Sequence, residues 1–177
     1  LGGIVAAMIS ESVPIGAGGG SYLPAVVRFL DGYIAGAMAT DPDIEVLYQE
    51  SNPDPVIGFI DPERGGEIAT QMMELGADVI FQIAGATGVG VREAVCQAGS
   101  YGIGVDTDQS KTQPPQASEC DVTSADKKLR EYTNAIVQSA INGTIEGGTI
   151  LYNAASDPLA IGHSPFQEKY ADLLTPE

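Results

Sequence analysis

Residues 78–109, DVIFQIAGATGVGVREAVCQAGSYGIGVDTDQ, decide the fold of this chain. Apolar residues over 79–83 predict a strand that is covered on both faces. The next segment, 85–90, carries three glycines, which allow a sharp turn and a close approach of the backbone to a ligand. Apolar residues at helical spacing then predict a helix, and a second apolar run ends beside Asp106. The stretch therefore predicts one strand–helix–strand unit of a parallel sheet.

The ligand-binding edge of the predicted sheet follows from this unit. The glycine-rich segment, the start of the helix and Asp106 all lie beyond the carboxyl ends of the strands, where ligands bind in open parallel sheets. The spacing of Gly85, Gly88 and Gly90 differs from the GxGxxG motif of dinucleotide-binding loops, and the chain has no GxxxxGK[ST] motif. A nucleotide-cofactor enzyme is therefore the unfavoured alternative, and no cofactor is predicted.

Helices and strands alternate along the rest of the chain. Helices are predicted over 1–12, from Pro24, from Asp61 and from Ser124, and strands over 13–17, 44–48 and 149–152, with a short strand or crossover over 120–123. Residues 49–60 predict a loop with a short edge strand over 56–60. Residues 153–177 predict a loop with a short helix over 167–173. This alternation predicts an α/β fold with a parallel, doubly wound sheet in three layers, of the flavodoxin-like or Rossmann-like kind.

The buried faces of the predicted helices follow from the spacing of their apolar residues. The residues expected on these faces are Val26, Leu30, Tyr33 and Ala37, then Ile68, Met72 and Leu75, and in the last long helix Leu129, Tyr132, Ile136 and Ala140. Asp61 is expected to cap the N-terminus of the third helix, with Pro62 in its first turn and Gly76 at its C-terminus.

Composition excludes several classes of function. The net charge of −16 argues against binding to nucleic acid or to an anionic membrane surface, since both attract basic patches. No apolar run reaches membrane-spanning length. His163 is the single histidine, which is too few for a histidine-rich metal site or a Ser-His-Asp triad with a nearby signature. Cys96 and Cys120 lie in apolar surroundings without a CxxC motif, which favours two inert buried thiols, with a disulfide as the alternative.

Two acidic residues, Asp106 and Asp108, are the strongest candidates for ligand contacts. In an extended segment their carboxylates point to one side, with Gln109 opposite. One carboxylate can accept hydrogen bonds from two adjacent hydroxyls of a sugar, which favours sugar recognition over a structural loop cap or a metal site. Lys127 lies near the predicted start of the last helix, where a solvated surface lysine is the ordinary interpretation.

Seven stretches of the chain carry a family resemblance: 15–20, 29–37, 61–65, 76–81, 84–91, 104–109 and 123–127. In this order and spacing they resemble the basic membrane protein family, the PnrA-like substrate-binding lipoproteins of bacterial ABC transporters. The resemblance implies a type I periplasmic-binding fold, in which two α/β lobes clamp a ligand. It also implies that residues 1–121 form the second lobe, that residues 122–177 form a crossover helix, a final strand and a tail, and that the chain lacks most of the first lobe.

The resemblance also implies a ligand and the residues that bind it. Family ligands are typically purine nucleosides, the ribose-binding aspartate falls on Asp106, and the ligand-contacting lysine falls on Lys127. The glycine-rich segment is expected to lie against the ligand, and Asp108 is expected beside Asp106. The segment residues concerned are Gly85, Thr87 and Gly88. Many members carry an aromatic residue where this chain has Arg92, which could stack on a base or select a more anionic ligand. Residues 49–58 form an insertion relative to the family.

The function that the resemblance implies is that of a non-enzymatic solute-binding component of an ABC importer. The expected partners are a nucleoside-like small molecule and the permease subunits of the transporter. The expected location is periplasmic or extracellular, with a lipid anchor outside this chain as the only membrane attachment. The alternative is a sensory ligand-binding domain of the same fold.

Overall fold

A computed structural model describes residues 1–150 and 161–174 of the chain. The described residues form one mixed sheet and a set of flanking helices. The strands are β1 (Ile15–Gly19), β2 (Val46–Glu50), β3 (Val79–Ile83), β4 (Tyr101–Asp106), β5 (Asp121–Lys127) and β6 (Ile161–His163). The helices are α1 (Gly2–Ile9), α2 (Pro24–Thr40), α3 (Pro55–Gly58), α4 (Pro62–Glu74), α5 (Thr87–Ala98), α6 (Gln109–Thr112) and α7 (Leu129–Ile141), with 3₁₀ turns at Pro115–Ala117 and Glu168–Leu174.

The strand order in the sheet is β2-β1-β3-β4-β5-β6. The first five strands are parallel, and β6 pairs antiparallel with β5. The chain moves outward from β1 to β2 and then returns to place β3 on the other side of β1. The strand order therefore reverses between β1 and β3, which is the position where open sheets bind ligands. The predicted parallel, doubly wound α/β fold is confirmed.

Two apolar cores lie on opposite faces of the sheet, and β3 contributes to both. Val79, Phe81 and Ile83 pack with residues of α1 and α2, whereas Ile80 packs with residues of α4 and α5. This division follows from the alternation of side chains along a strand. It explains why the run 79–83 is almost continuously apolar. The buried residues of α2 are the four that the helical spacing predicts.

Helix α4 starts and ends as its sequence predicts. The Asp61 side chain accepts a hydrogen bond from the backbone N–H of Arg64 at 3.0 Å, and Pro62 occupies the first turn. Gly76 follows the helix with φ of 103°, a conformation that glycine adopts without steric cost. The predicted burial of Leu75 is wrong, because this side chain lies at the end of the helix and is 67% exposed.

Glycines allow α4 and α5 to cross closely. A Cβ atom at Gly65 would overlap the carbonyl oxygen of Thr87, and one at Gly90 would overlap that of Pro62. Gly88 and Gly90 both lie inside α5. The predicted glycine loop therefore forms mostly the first turns of this helix. Only Gly85 of this segment has a positive φ, of 57°.

The region after β4 differs most from the predicted elements. Strand β5 continues through Lys127, and the helix begins only at Leu129, not near Ser124. The chain therefore stays in the sheet beyond the predicted boundary at residue 121. Helix α7 has no buried residue, and Leu129, Ile136 and Ala140 of its predicted buried face are exposed.

Two other predicted strands have different outcomes. Residues 55–58 form the short helix α3 in place of the edge strand over 56–60, because Asp54 caps it by accepting from the backbone N–H of Val56 at 2.9 Å. Residues 149–150 are not in a strand, and 151–152 lie outside the described residues. The predicted short helix near the C-terminus is present as the 3₁₀ turn from residue 168, whereas β6 is unpredicted.

Cys96 and Cys120 form a disulfide, with their Cα atoms 4.9 Å apart. The favoured prediction of two free thiols is therefore wrong. Apolar surroundings predict burial of each cysteine, but they carry no information on whether α5 and the segment before β5 bring the two together.

None of the helices within the described ranges is both long and apolar enough to cross a lipid bilayer.

Candidate functional site

A pocket of about 160 Å³ lies at the carboxyl edge of the parallel strands. Its wall combines residues at or beside the ends of β3, β4 and β5 with the start of α2 and the segment before α4. The lining residues are Leu23, Ala25, Val26, Phe29, Phe59, Ile83, Gly85, Val105, Asp106 and Lys127. The loops after β1 and β3 both reach this pocket, so it lies at the point where the strand order reverses.

Asp106 and Lys127 are the charged residues of the lining and form an ion pair. Lys127 Nζ lies 2.8 Å from Asp106 Oδ1, and the side chains are 42% and 51% exposed. Strands β4 and β5 pair Asp106 with Asp126, which brings the next residue, Lys127, to the same edge. A pair this exposed contributes little to stability. Because about half of each side chain is exposed, a polar ligand can reach both.

Aromatic rings form part of the apolar wall. Lys127 Nζ lies 4.9 Å from the centroid of the Phe29 ring, within the range of a cation–π contact. Phe59 lies in the segment before α4, where its carbonyl accepts hydrogen bonds from the backbone N–H groups of Ala86 and Thr87 at 3.0 and 3.3 Å. Sequence reasoning missed both phenylalanines. The available signal was their position, in the second turn of the helix that follows β1 and just before the N-cap of α4, at the carboxyl edge of the sheet.

Asp106 adopts a strained backbone conformation. Its φ is 68°, and the N–H of Thr107 donates to the carbonyl of Val105 at 2.8 Å, which closes a three-residue turn around it. Such turns with a positive φ at the centre are rare for residues other than glycine. A conformation of this kind costs about 1–3 kcal/mol and persists only where the surroundings hold it. The turn ends the extended strand and directs the carboxylate toward Lys127.

The structure brings Asp106, Lys127 and Gly85 together at the pocket, but not Thr87 or Gly88. Thr87 is buried, and its hydroxyl donates to the Gly58 carbonyl at 2.7 Å and accepts from the Asp61 N–H at 2.8 Å. A Cβ atom at Gly88 would overlap the Gln82 side chain, so Gly88 faces the core. Thr87 joins α5 to the segment that carries Phe59 and thus supports the pocket wall from behind.

The side chain of Arg92 was expected to reach the ligand, but the structure places it in the core, outside the pocket lining. Its side chain is 1% exposed and forms an ion pair with Asp121, with Nη2 2.7 Å from Oδ2 and Nε donating to Oδ1 at 3.1 Å. Burial raises the pKa of Asp121 to about 6, although Arg92 acts in the opposite direction. An aromatic residue could stack here only on other core residues, because this face of α5 is turned away from the pocket.

Asp108 also lies apart from the pocket. The turn at Asp106 breaks the extended segment, so the two carboxylates do not share one side. Lys111 Nζ lies 2.6 Å from Asp108 Oδ2, and the Ser110 hydroxyl donates to Oδ1 at 2.5 Å. Partial burial acts to raise the pKa of Asp108, but the hydrogen bonds from Lys111 and Ser110 outweigh it and lower the pKa. Asp108 is therefore the N-cap residue of the short helix α6, and its carboxylate is bound by side chains of that helix.

Within residues 1–150 and 161–174, no three histidine, cysteine, aspartate or glutamate side chains are grouped in a way that could hold a metal ion. The polar chemistry of the pocket is therefore that of one carboxylate and one ammonium group beside aromatic rings. Such a set can accept and donate hydrogen bonds to hydroxyl groups of a ligand.

Comparison with known proteins identifies the family. The Bmp family, described as ABC transporter substrate-binding protein PnrA-like, matches residues 1–171. Basic membrane protein A of Borreliella afzelii is 34% identical over 154 residues, which covers 85% of this chain and 45% of that protein. The ABC transporter nucleoside-binding protein BmpA of Lactococcus lactis is 32% identical over 176 residues, which covers 92% of this chain and 49% of that protein. The chain thus spans about half the length of the curated relatives it matches.

The fold comparison agrees with the family match. The crystal structure of an ABC transporter solute-binding protein from Aeropyrum pernix K1 has a TM-score of 0.75 and 26% identity, covering 92% of this chain and 45% of that one. This likeness confirms the predicted type I periplasmic-binding-like α/β fold. The chain belongs to the Bmp family of PnrA-like ABC transporter substrate-binding proteins.

Proposed function

We propose that this chain forms one wall of the ligand site of an ABC importer's substrate-binding protein, and that the ligand is a purine nucleoside or a related ribosyl compound. The observation that carries the proposal is the Asp106–Lys127 pair at the mouth of a pocket lined by Phe29 and Phe59. A ribosyl ligand has both a polar diol and a flat apolar base. The pocket offers one matching surface for each.

The two polar groups suit the hydroxyls of a ribose. The Asp106 carboxylate can accept a hydrogen bond from each of two adjacent hydroxyls, and the Lys127 ammonium can donate to a hydroxyl oxygen. In the pocket the two neutralise one another at 2.8 Å. A diol inserted between them would exchange one exposed ion pair for several charge-assisted hydrogen bonds. The rings of Phe29 and Phe59 supply apolar surface for the base.

The small volume of the pocket supports the presence of a second wall in the complete site. Its volume of about 160 Å³ is below the roughly 300–1,000 Å³ of common small-molecule sites. We propose that the part built from residues 1–121 and the rest of β5 is one lobe, and that α7 leads toward a second lobe that closes over the ligand about a hinge. Strand β6 pairs with β5 and so returns to the first of these parts. Residues 122–127 belong to the first of these parts, because they form a strand of its sheet.

The wider role follows from the family. The Lactococcus relative is named as a nucleoside-binding protein, which supports the nucleoside assignment for this chain. We propose a non-enzymatic role, in which the protein delivers its ligand to the permease subunits of an ABC transporter. The proposed location is the periplasmic or extracellular side of the membrane, with a lipid anchor outside this chain.

Isothermal titration calorimetry on the complete gene product tests the proposal, with adenosine, guanosine and inosine as ligands. We expect saturable binding of at least one nucleoside and much weaker binding of the corresponding free base, since the base lacks the diol. Circular dichroism establishes that the protein is folded in the same buffer. A folded protein that releases no heat with any of the three nucleosides would defeat the assignment.

A further inference from the structure

The turn at Asp106 needs support from outside itself. Among residues 1–150 and 161–174, Asp106 is the one residue other than glycine with a positive φ. Its carboxylate reaches Lys127 from the last position of β4. Strained conformations of this kind persist only where neighbouring groups over-determine them. The groups that hold this turn therefore decide where the carboxylate points.

Gln109 is the buried group that reaches the turn. Its side-chain oxygen, Oε1, accepts hydrogen bonds from the backbone N–H of Val105 at 3.1 Å, from Arg92 Nη1 at 3.1 Å and from Gln82 Nε2 at 2.7 Å. Its backbone N–H donates to the Ser124 hydroxyl at 3.2 Å. The residue is 9% exposed. One side chain thus ties the residue before Asp106 to β3 and α5, while its backbone is tied to β5.

The core leaves room for this side chain at two glycines. A Cβ atom at Gly104 would lie 2.7 Å from Gln109 Oε1, and one at Gly88 would overlap Gln82 Oε1. Gly104 lies in β4 and Gly88 in the first turn of α5. Two separate elements therefore lack side chains at the points where the Gln82–Gln109 pair lies. The pair is an integral part of the core behind the pocket.

We propose that Gln109 is the positioning residue of this site: its side-chain carbonyl holds the strained turn at Asp106 and so directs the Asp106 carboxylate into the pocket. The proposal rests on the proposed function for the identity of the ligand. Removing the carbonyl leaves the N–H of Val105 and two buried side-chain donors without an acceptor. The turn then relaxes toward a negative φ, and the carboxylate moves away from Lys127. Arg92 acts through Gln109 and does not touch the ligand.

Selectivity for ribose over 2′-deoxyribose reports the position of the Asp106 carboxylate. We expect the complete wild-type protein to bind adenosine roughly tenfold or more tightly than 2′-deoxyadenosine, because the second hydroxyl adds a hydrogen bond to a charged group. Gln109→Met, which keeps the volume without the carbonyl, should bring that ratio close to one. Gln109→Glu, which keeps acceptor oxygens, should restore most of it. Should Gln109→Met not fold, Gln109→Asn, which retracts the carbonyl by one methylene, takes its place with the same expectation.

A remote variant separates positioning from a general loss of stability. Met72→Ala creates a cavity in the apolar core between α4 and the sheet, a core that does not include Gln109, and should leave the ribose to 2′-deoxyribose ratio unchanged. A folded Gln109→Met protein that keeps the wild-type ratio would overturn the proposal.

Crystal structures without ligand keep the test independent of the proposed function. If wild-type protein binds none of the nucleosides, the proposed function fails, and the inference is then judged on these structures alone. In Gln109→Met we expect a negative φ at Asp106 and a separation of Asp106 from Lys127 beyond roughly 4 Å, the limit of an ion pair. A turn and an ion pair that are the same as in the wild type would overturn it.

Discussion

Arg92 and Asp121 form a two-point contact in the interior of the protein, with Nη2 2.7 Å from Oδ2 and Nε 3.1 Å from Oδ1, and both side chains are 1% exposed. The two residues are 29 positions apart in the chain. Because a buried charge is costly without its partner, this pair must be kept or removed as a unit.

The first prediction concerns that pair. Arg92→Met and Asp121→Asn should each lower the free energy of unfolding by about 3–5 kcal/mol, since each leaves one buried group unmatched. The double variant should lose less than the sum of the two single losses. Urea unfolding of the two single variants and the double variant measures this coupling. Additive losses would show that the two side chains do not interact energetically.

The second prediction concerns the carboxylate of Asp106. Asp106→Asn removes the charge but keeps a residue that tolerates a positive φ, so the backbone turn is preserved. We expect nucleoside affinity to fall by about 1.5–3 kcal/mol, the value of a hydrogen bond to a charged group. Asp108→Asn is the matched control, because Asp108 lies outside the pocket lining and pairs with Lys111. Equal losses of nucleoside affinity in calorimetric titrations of both variants would show that the Asp106 carboxylate does not bind the ligand.

The third prediction concerns the disulfide. Cys96 and Cys120 enclose a loop with a sequence separation of 24. On the loop-entropy account, opening it by Cys96→Ser with Cys120→Ser should lower the free energy of unfolding by about 3 kcal/mol. Thermal unfolding of the wild type with and without dithiothreitol provides a second measurement. A double variant that unfolds at the temperature of the oxidised wild type, with dithiothreitol also without effect, would contradict the expectation.

The fourth prediction uses two adjacent glycines of α4. Gly65→Ala should destabilise the protein by about 1–3 kcal/mol, because the new Cβ would overlap the Thr87 carbonyl and force α4 away from α5. Gly66→Ala should instead stabilise it by roughly 0.5–1 kcal/mol, since its nearest new contact, the Gly90 carbonyl, lies at 3.6 Å and alanine favours a helix. Chemical denaturation of the two variants should therefore show shifts of opposite sign.

Local patterns were sufficient for most of the sheet and its helices. The alternation of apolar runs, the cap at Asp61 and the four buried residues of α2 all follow from spacing that a single element displays on its own. Prediction from sequence patterns failed where one stretch could form either a helix or a strand. Residues 124–127 have a polar sequence that predicts the start of a helix, yet they form a strand because β4 on one side and β6 on the other pair with them.

The ligand site was predictable only in part. Asp106 was expected from its position as well as from the resemblance, and Lys127 from the resemblance. The structure places them 2.8 Å apart, although their contact with a ligand remains a prediction. The burial of the Arg92 side chain was not predictable, because its partner Asp121 lies 29 positions away in the chain. The pairing of Cys96 with Cys120 was open for the same reason.

The sequence by itself determined the order of helices and strands, the parallel sheet and the edge at which a ligand would lie, because these depend on periodicity and on residues close together in the chain. Tertiary structure alone decided which polar residues reach solvent and which are buried. Arg92 became a core residue and Gln109 the support of Asp106 because their partners come from β3, β4 and β5, and only packing brings those strands together. Contacts between distant segments depend on the sum of many weak interactions, and no local pattern records them.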